Sequence, residues 1–257
     1  MGQNRDAFDS ARHNSHIVNA DDFGISQTVN KAICEGILNG YISSTTLLAN
    51  GDAFENAITL AKKFKFTHLI GLHFNIVEGL PLTEPIKNCT LFCDEKGLLS
   101  YKRNTARFLS KEEKRALLIE LQAQIDKINN VGINLTHFDS HEHSHTEWPI
   151  FSAIYPLLLK NGIKTVRLTT NCLPVSIIKK VYKTWYNHKL RRLGFITTDC
   201  FCAYSDLDRI KIKESERLIE VMIHPDIVDG ELSDSVTKRK IEYKALDILT
   251  YKSIIDD

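Results

Sequence analysis

At 257 residues the chain has the length of one large α/β domain or two small ones, enough to bury a core without disulfide staples. Its 43% hydrophobic and 25% charged residues are those of a globular chain, and a formal net charge of +1 excludes a long-range field for holding nucleic acid. No apolar run of about 18 residues occurs and the N-terminus lacks the apolar segment of a signal peptide, so a cytoplasmic protein with no membrane partner is expected.

Residues 1–15 are polar and predict a flexible tail ahead of one domain over 16–257. "HIVNA" (16–20) reads as a buried strand, followed by a helix near 26–39 with Val29, Ile33 and Ile37 on one face and Ser26 placed to cap it. "SSTTLLAN" (43–50) is a strand by its Thr content, 53–64 a helix, and "HLIGLHFN" (68–75) a third strand. Residues 76–108 read as a long loop carrying Pro81 and Pro85. Ser110 and Glu113 form a capping box for a helix striped by Leu117, Leu121, Ile125 and Ile128. "NLTHFD" is a fourth strand, "WPIFSAIYPLLLK" a helix, "KTVRL" (164–168) a strand and 175–191 a helix. Strands follow around 195–202 and 217–224, and a last amphipathic helix spans 234–249. The six cysteines show no C-x-x-C or zinc-finger spacing and are expected reduced, with Cys200 and Cys202 packed on a strand.

This β-α alternation predicts a parallel sheet with its functional loops at the C-terminal ends of the strands. A closed or nearly closed barrel explains the pattern best, ahead of an open doubly wound sheet. Three unusual motifs fall at that rim. "NADDFG" (19–24) ends the first strand, "GLHFN" (71–75) ends the third, and "HFDSHEHSH" (137–145), with four of the ten histidines, leaves the fourth. Asp22, His73 and His141 together offer two imidazoles and a carboxylate, a metal site with open positions. Such an ion acidifies water and polarises a carbonyl, and Asp21 or Asp139 is placed to accept the proton. "HPD" (224–226) puts His224 at the same rim as a candidate acid, and Asp226 is placed to turn back on its ring. Arg167, charged within a strand, needs a carboxylate partner, Asp21 or Asp139. His143 and His145 are expected to line the pocket or orient a ligand, because the chain should be turning there, whereas His137 should be packed. Trp148 and Tyr41 have the shape to stack on a sugar, and both have ordinary packing explanations as well.

As a set, "IVNADDFGIS" (17–26), "NGYISSTTLLANG" (39–51), "GLHFNIVEGLPLT" (71–83), "THFDSHEHSH" (136–145), "MIHPD" (222–226) and "RKIEYKAL" (239–246) resemble the YdjC family of carbohydrate deacetylases, to which a chitooligosaccharide deacetylase belongs. The resemblance covers residues 16–250 in the family's order. It implies a distorted (β/α) barrel related to polysaccharide deacetylases. It implies a divalent metal ion held by Asp22, His73 and His141, Mg2+ ahead of Zn2+ or Mn2+. It also implies Asp21 as the base, His224 as the group assisting the leaving amine, and an N-acetylated sugar or oligosaccharide that loses acetate. Arg167, His143 and His145 are the expected substrate-binding residues. The sequence departs from the family pattern at Val77, in "RLTTN" and at Asp226, none of them a proposed ligand. Two rival readings are another metal-dependent hydrolase of the phosphoesterase or amidohydrolase kind and a non-catalytic sugar-binding relative. A homo-oligomer is left open.

Overall fold

The computed structural model describes residues 15–210, 217–242, 247, 248, 250, 251 and 253. All of the expected polar tail except Ser15 lies outside them, as do residues 243–246 and 249 of the expected last helix.

Four short strands come first: β1 (Ser15–Phe23), β2 (Ser44–Leu47), β3 (Ile70–Phe74) and β4 (Phe138–Ser140). With β5 (Cys200–Ala203) and β6 (Ile219–Ile223) they make a sheet in the order β4-β3-β2-β1-β6-β5, every pair parallel. Burial along these strands is nearly unbroken, the pattern of a parallel sheet covered on both faces. The covering helices are α1 (Gln27–Leu38), α2 (Phe54–Lys63), a one-turn α3 (Glu84–Lys87), α4 (Lys111–Asn130), α5 (Trp148–Lys160) and α6 (Ile177–Arg192). α1 begins where Ser26 accepts the Val29 amide, and α4 begins with the Ser110–Glu113 capping box. On α4, Leu117, Leu121, Ile125 and Ile128 are all fully buried, each contributing about 1.5–3 kcal/mol of transfer free energy.

Beyond β4 the sheet continues through single parallel bridges, Phe138 to Val166 and Thr165 to Ile196, and the chain from Ile196 runs on into β5. The sheet therefore curls round as a distorted, incompletely bonded barrel, the fold expected from the sequence. The segment 164–168, expected as a full strand, contributes bridges in place of a ladder. All six cysteines are free, with Cys200 and Cys202 buried on β5. Among the described residues no helix is long and apolar enough to cross a membrane.

The expected alternation fails after β6. In place of the first part of the helix expected over 234–249, β7 (Pro225–Val228), β8 (Glu231–Asp234) and β9 (Arg239–Lys240) form an antiparallel sheet, and β10 (Asp247–Ile248) pairs with the start of β1. Turn chemistry overrides helical spacing here. Asp229 and Gly230, at φ of 51° and 82°, make the tight β7–β8 turn. Asp234 Oδ1 then accepts both the amide and the hydroxyl of Thr237, which turns the chain toward β9.

Candidate active site

The adjacent aspartates are separated by an irregularity in β1. The register with β2 shifts between Ala20 and Phe23, and Asp22 adopts a left-handed φ of 67°. Asp21 consequently points into the barrel and Asp22 toward its mouth. Asp22 Oδ1 lies 3.2 Å from His73 Nε2 and 2.9 Å from His141 Nδ1, and the two ring nitrogens are 3.4 Å apart. Three donor atoms from β1, β3 and the turn after β4 thus face one point.

This donor set fits a divalent cation. Ligand atoms about 2.1 Å from an ion are about 3.4 Å apart in tetrahedral and about 3.0 Å apart in octahedral geometry, and the three observed edges of 2.9, 3.2 and 3.4 Å match that range to about 0.1 Å. His73 Nδ1 donates to Asp139 Oδ1 at 2.6 Å, so that the neutral ring carries its lone pair on Nε2, the nitrogen beside Asp22 and His141. Burial alone would lower the His73 pKa. The Asp139 charge, with hydrogen bonds to Asp139 and Asp22, raises it to about 10, so the carboxylates draw a positive charge to this point. The same two rings also hold Asp22 well below the usual carboxylate range against the opposing effect of burial. His141 Nε2 meets Glu78 Oε1 at 3.0 Å. Asn75 makes that contact available: its Oδ1 accepts the amides of Val77 and Glu78, folding the loop toward His141.

Below this triangle lies a dry ionic floor. Arg167, fully buried, forks onto Asp21 with both terminal nitrogens at 2.7 Å, reaches Asp139 Oδ2 at 2.6 Å and Glu220 Oε1 at 2.6 Å, and stacks on Phe201 at 4.9 Å. Both carboxylates expected as its partners are engaged at once. A second acid-imidazole group, Asp21, His73 and Asp139, is filled by this guanidinium, which is its cation. Burial raises the Asp21 pKa, but Arg167's charge and hydrogen bonds outweigh it and leave the group well below the carboxylate range. Asn19 donates to Asp21 Oδ1 and Thr46 to Asp139 Oδ2, completing the floor. His137 packs beneath it, bonded to Asn19 and stacked at 3.9 Å on Tyr251. Its ring leaves no room for a β-carbon at Gly71, which would lie 2.6 Å from it, so "GLH" needs its glycine.

His224 follows β6, is half-buried, and lies close enough for its charge to act on Asp21. The unexpected hairpin holds it: the His224 amide donates to Asp234 Oδ2 and its carbonyl accepts from Ser235. Asp226 does not turn back to that ring as expected; its Oδ1 accepts the next amide, that of Ile227.

The three residues expected to meet substrate separate. Left-handed φ at Glu142 (48°) and His143 (57°) breaks the strand alternation after His141. His143 turns into a cavity of about 810 Å³ shared with Arg103, Trp148, Tyr182, Phe201 and Met222. His145 and Arg167 do not reach that cavity. His145 is fully buried, its nitrogens on the Ser140 hydroxyl and the Arg167 carbonyl. The triad itself is not part of the cavity lining; Phe201, which touches both His143 and Arg167, stands between the cavity and the buried guanidinium. Trp148 lines the cavity, whereas Tyr41 packs partly buried against the core. Burial, then the Arg167 charge, pushes His143 down to about 3, leaving a neutral ring whose Nδ1 has no hydrogen-bond partner. Glu78 and Glu220 are the charged groups sequence reasoning missed; the available signal for Glu220 was a lone acid inside the apolar run "LIEVMI".

The sequence profile of the family described as YdjC-like protein matches residues 16–256. A carbohydrate deacetylase of Thermoanaerobacter pseudethanolicus is 33% identical over 251 residues, covering 93% of this chain and 92% of its own length. One from Clostridium beijerinckii is 30% identical over 245 residues, covering 93% and 92%. An Enterococcus faecalis V583 crystal structure described as a cellobiose-phosphate cleavage protein superposes with a TM-score of 0.70 at 22% identity, covering 94% of this chain and 99% of that one, a likeness of fold.

Proposed function

We propose that this chain, which belongs to the YdjC-like family, is a metal-dependent carbohydrate deacetylase that removes acetyl from an N-acetylated sugar and releases acetate. The observation that carries the reading is the convergence of Asp22, His73 and His141 within 3.4 Å at the barrel mouth, beside the buried group of Asp21 and Asp139 that shares His73. The names of the relatives supply the substrate class.

Asp22, His73 and His141 would hold one divalent ion, Mg2+, Zn2+ or Mn2+, which would supply a positive charge to polarise the amide carbonyl and acidify water. Asp21 takes the water's proton. It is ionised at any working pH because Arg167 stabilises its anion, and the same contact makes it a weak base that needs an acidified proton source. Asp139 holds the His73 ring, and Arg167 holds Asp139 and Asp21 at a fixed separation. His224 protonates the leaving amine, which is expelled poorly without a proton. His143, a neutral ring in the cavity lining, makes the polar contact with the sugar, and Trp148 offers an aromatic face. His145 and Arg167 serve substrate binding indirectly, as the supports beneath His143 and Asp21.

The test is acetate release from a panel of N-acetylated mono- and oligosaccharides, with chelator and after metal reloading. The reading expects release from at least one sugar, abolished by chelator and restored by the ion. Release unaffected by chelator would remove the metal from the account, and no release from any sugar would favour a binding protein.

A further inference from the structure

Glu220 faces the barrel interior from β6, fully buried, in register between Ile17 of β1 and Phe201 of β5. Its Oε1 accepts the Arg167 Nε–H at 2.6 Å. A guanidinium can offer a carboxylate two different forks, its end (both terminal nitrogens) or its side (Nε with one terminal nitrogen). Here the side is taken by Glu220. Asp21 is therefore left the end fork, and the remaining hydrogen on the shared terminal nitrogen reaches Asp139. Were Nε free, the side fork would compete for Asp21, and the guanidinium would swing off Asp139, which orients His73.

We propose that Glu220 is a positioning residue for the deacetylation: by occupying Arg167 Nε it selects the edge of the guanidinium that holds Asp21 and Asp139 together. The inference rests on the deacetylase reading above. Reach, not charge, is what the role requires. The contact on Nε is made by one oxygen, Oε1, at the end of a side chain long enough to reach across from β6.

Two variants separate reach from charge. Glu220→Gln keeps the length and an acceptor oxygen but loses the charge; Glu220→Asp keeps the charge but is one methylene too short. Each is compared with wild type for kcat and KM in acetate release, and for Mn2+ affinity by calorimetric titration without substrate. The expected result is Gln within about threefold of wild type on every readout. Asp should lose about tenfold to a hundredfold in kcat with KM changed less than about twofold, the cost of a misplaced catalytic group. Its Mn2+ affinity should fall about threefold to tenfold, less than for loss of a direct partner of a ligand. An active Asp variant beside a crippled Gln variant would make charge the determinant and overturn the proposal, as would two unimpaired or two equally impaired variants. If wild type releases no acetate the deacetylase reading fails, while the Mn2+ affinities still decide whether Glu220 acts through reach.

Discussion

Replacing Asp139 with Asn sets two effects of opposite sign against each other. Asp139 Oδ1 is 2.6 Å from His73 Nδ1, and its charge is the largest influence raising the His73 pKa, to about 10 against the opposing effect of burial. Removing the carboxylate deprives His73 of the partner that orients it and makes its Nε2 a better donor, a loss of about 10–100-fold in metal affinity or about 1.4–2.7 kcal/mol. In the wild type, however, the ion must first displace a proton from His73. At pH 7.5 that costs roughly 3 kcal/mol for a pKa of about 10, and the cost shrinks when the Asp139 charge is gone. The sign follows from the ring that binds: only neutral His73 is a ligand, so wild-type affinity rises about tenfold per pH unit until pH passes about 10. In Asp139→Asn the rise ends at lower pH. Calorimetric titration of metal-free protein with Mn2+, in two buffers of different ionisation enthalpy at pH 7.5, counts the protons released. Wild type should release about one more proton per ion than it would with His73 already neutral, and Asp139→Asn clearly fewer than wild type. Equal proton release by the two proteins, or a wild-type affinity flat between pH 6.5 and 8.5, would refute the reasoning.

Asp21→Asn should retain the metal while losing at least about a hundredfold in kcat, and Asp22→Asn should lose the metal; elemental analysis and acetate release check both, and the opposite pattern exchanges the two roles. His224→Ala should slow N-acetyl substrates far more than an activated aryl acetate, whose leaving group needs no proton; equal losses would leave His224 a positioning role only. For His143 the folded pKa is about 3 and the unfolded about 6.5, so its stabilising contribution is complete above pH 6.5 and drains as pH falls toward 3. That loss reaches about 2 kcal/mol by pH 5, and His143→Gln should remove it from the decline of the urea unfolding free energy between pH 7 and 5. An unchanged decline contradicts a neutral buried ring.

The candidate ligands were legible because each sits where a buried strand ends, and parallel strands bring such ends to one rim. Arg167 was legible for a different reason: a charge inside "KTVRL" has to be paired, and both nominated carboxylates pair with it. In the histidine run the expected turn after His141 is present: left-handed Glu142 and His143 send His141 to the candidate ion site, His143 to the cavity and His145 to the core. Only the pocket position expected of His145 fails, because the spacing alone does not say how far the turn carries the third ring. The hairpin after His224 has a signal in "DG" at 229–230, while the helical spacing downstream points to a helix that the Asp234 turn prevents over its first part. Glu220 and Glu78 act across distances of many residues, onto Arg167 and His141, and no local pattern links such partners.

The central claim, one ion held between Asp22, His73 and His141, is tested most directly by anomalous diffraction from crystals loaded with Mn2+. The account predicts a single peak per chain, within about 2.0–2.4 Å of Asp22 Oδ1, His73 Nε2 and His141 Nδ1. Two peaks about 3.5–4 Å apart would instead indicate the two-metal chemistry of a phosphoesterase or amidohydrolase, and a peak away from these three atoms would contradict the assignment.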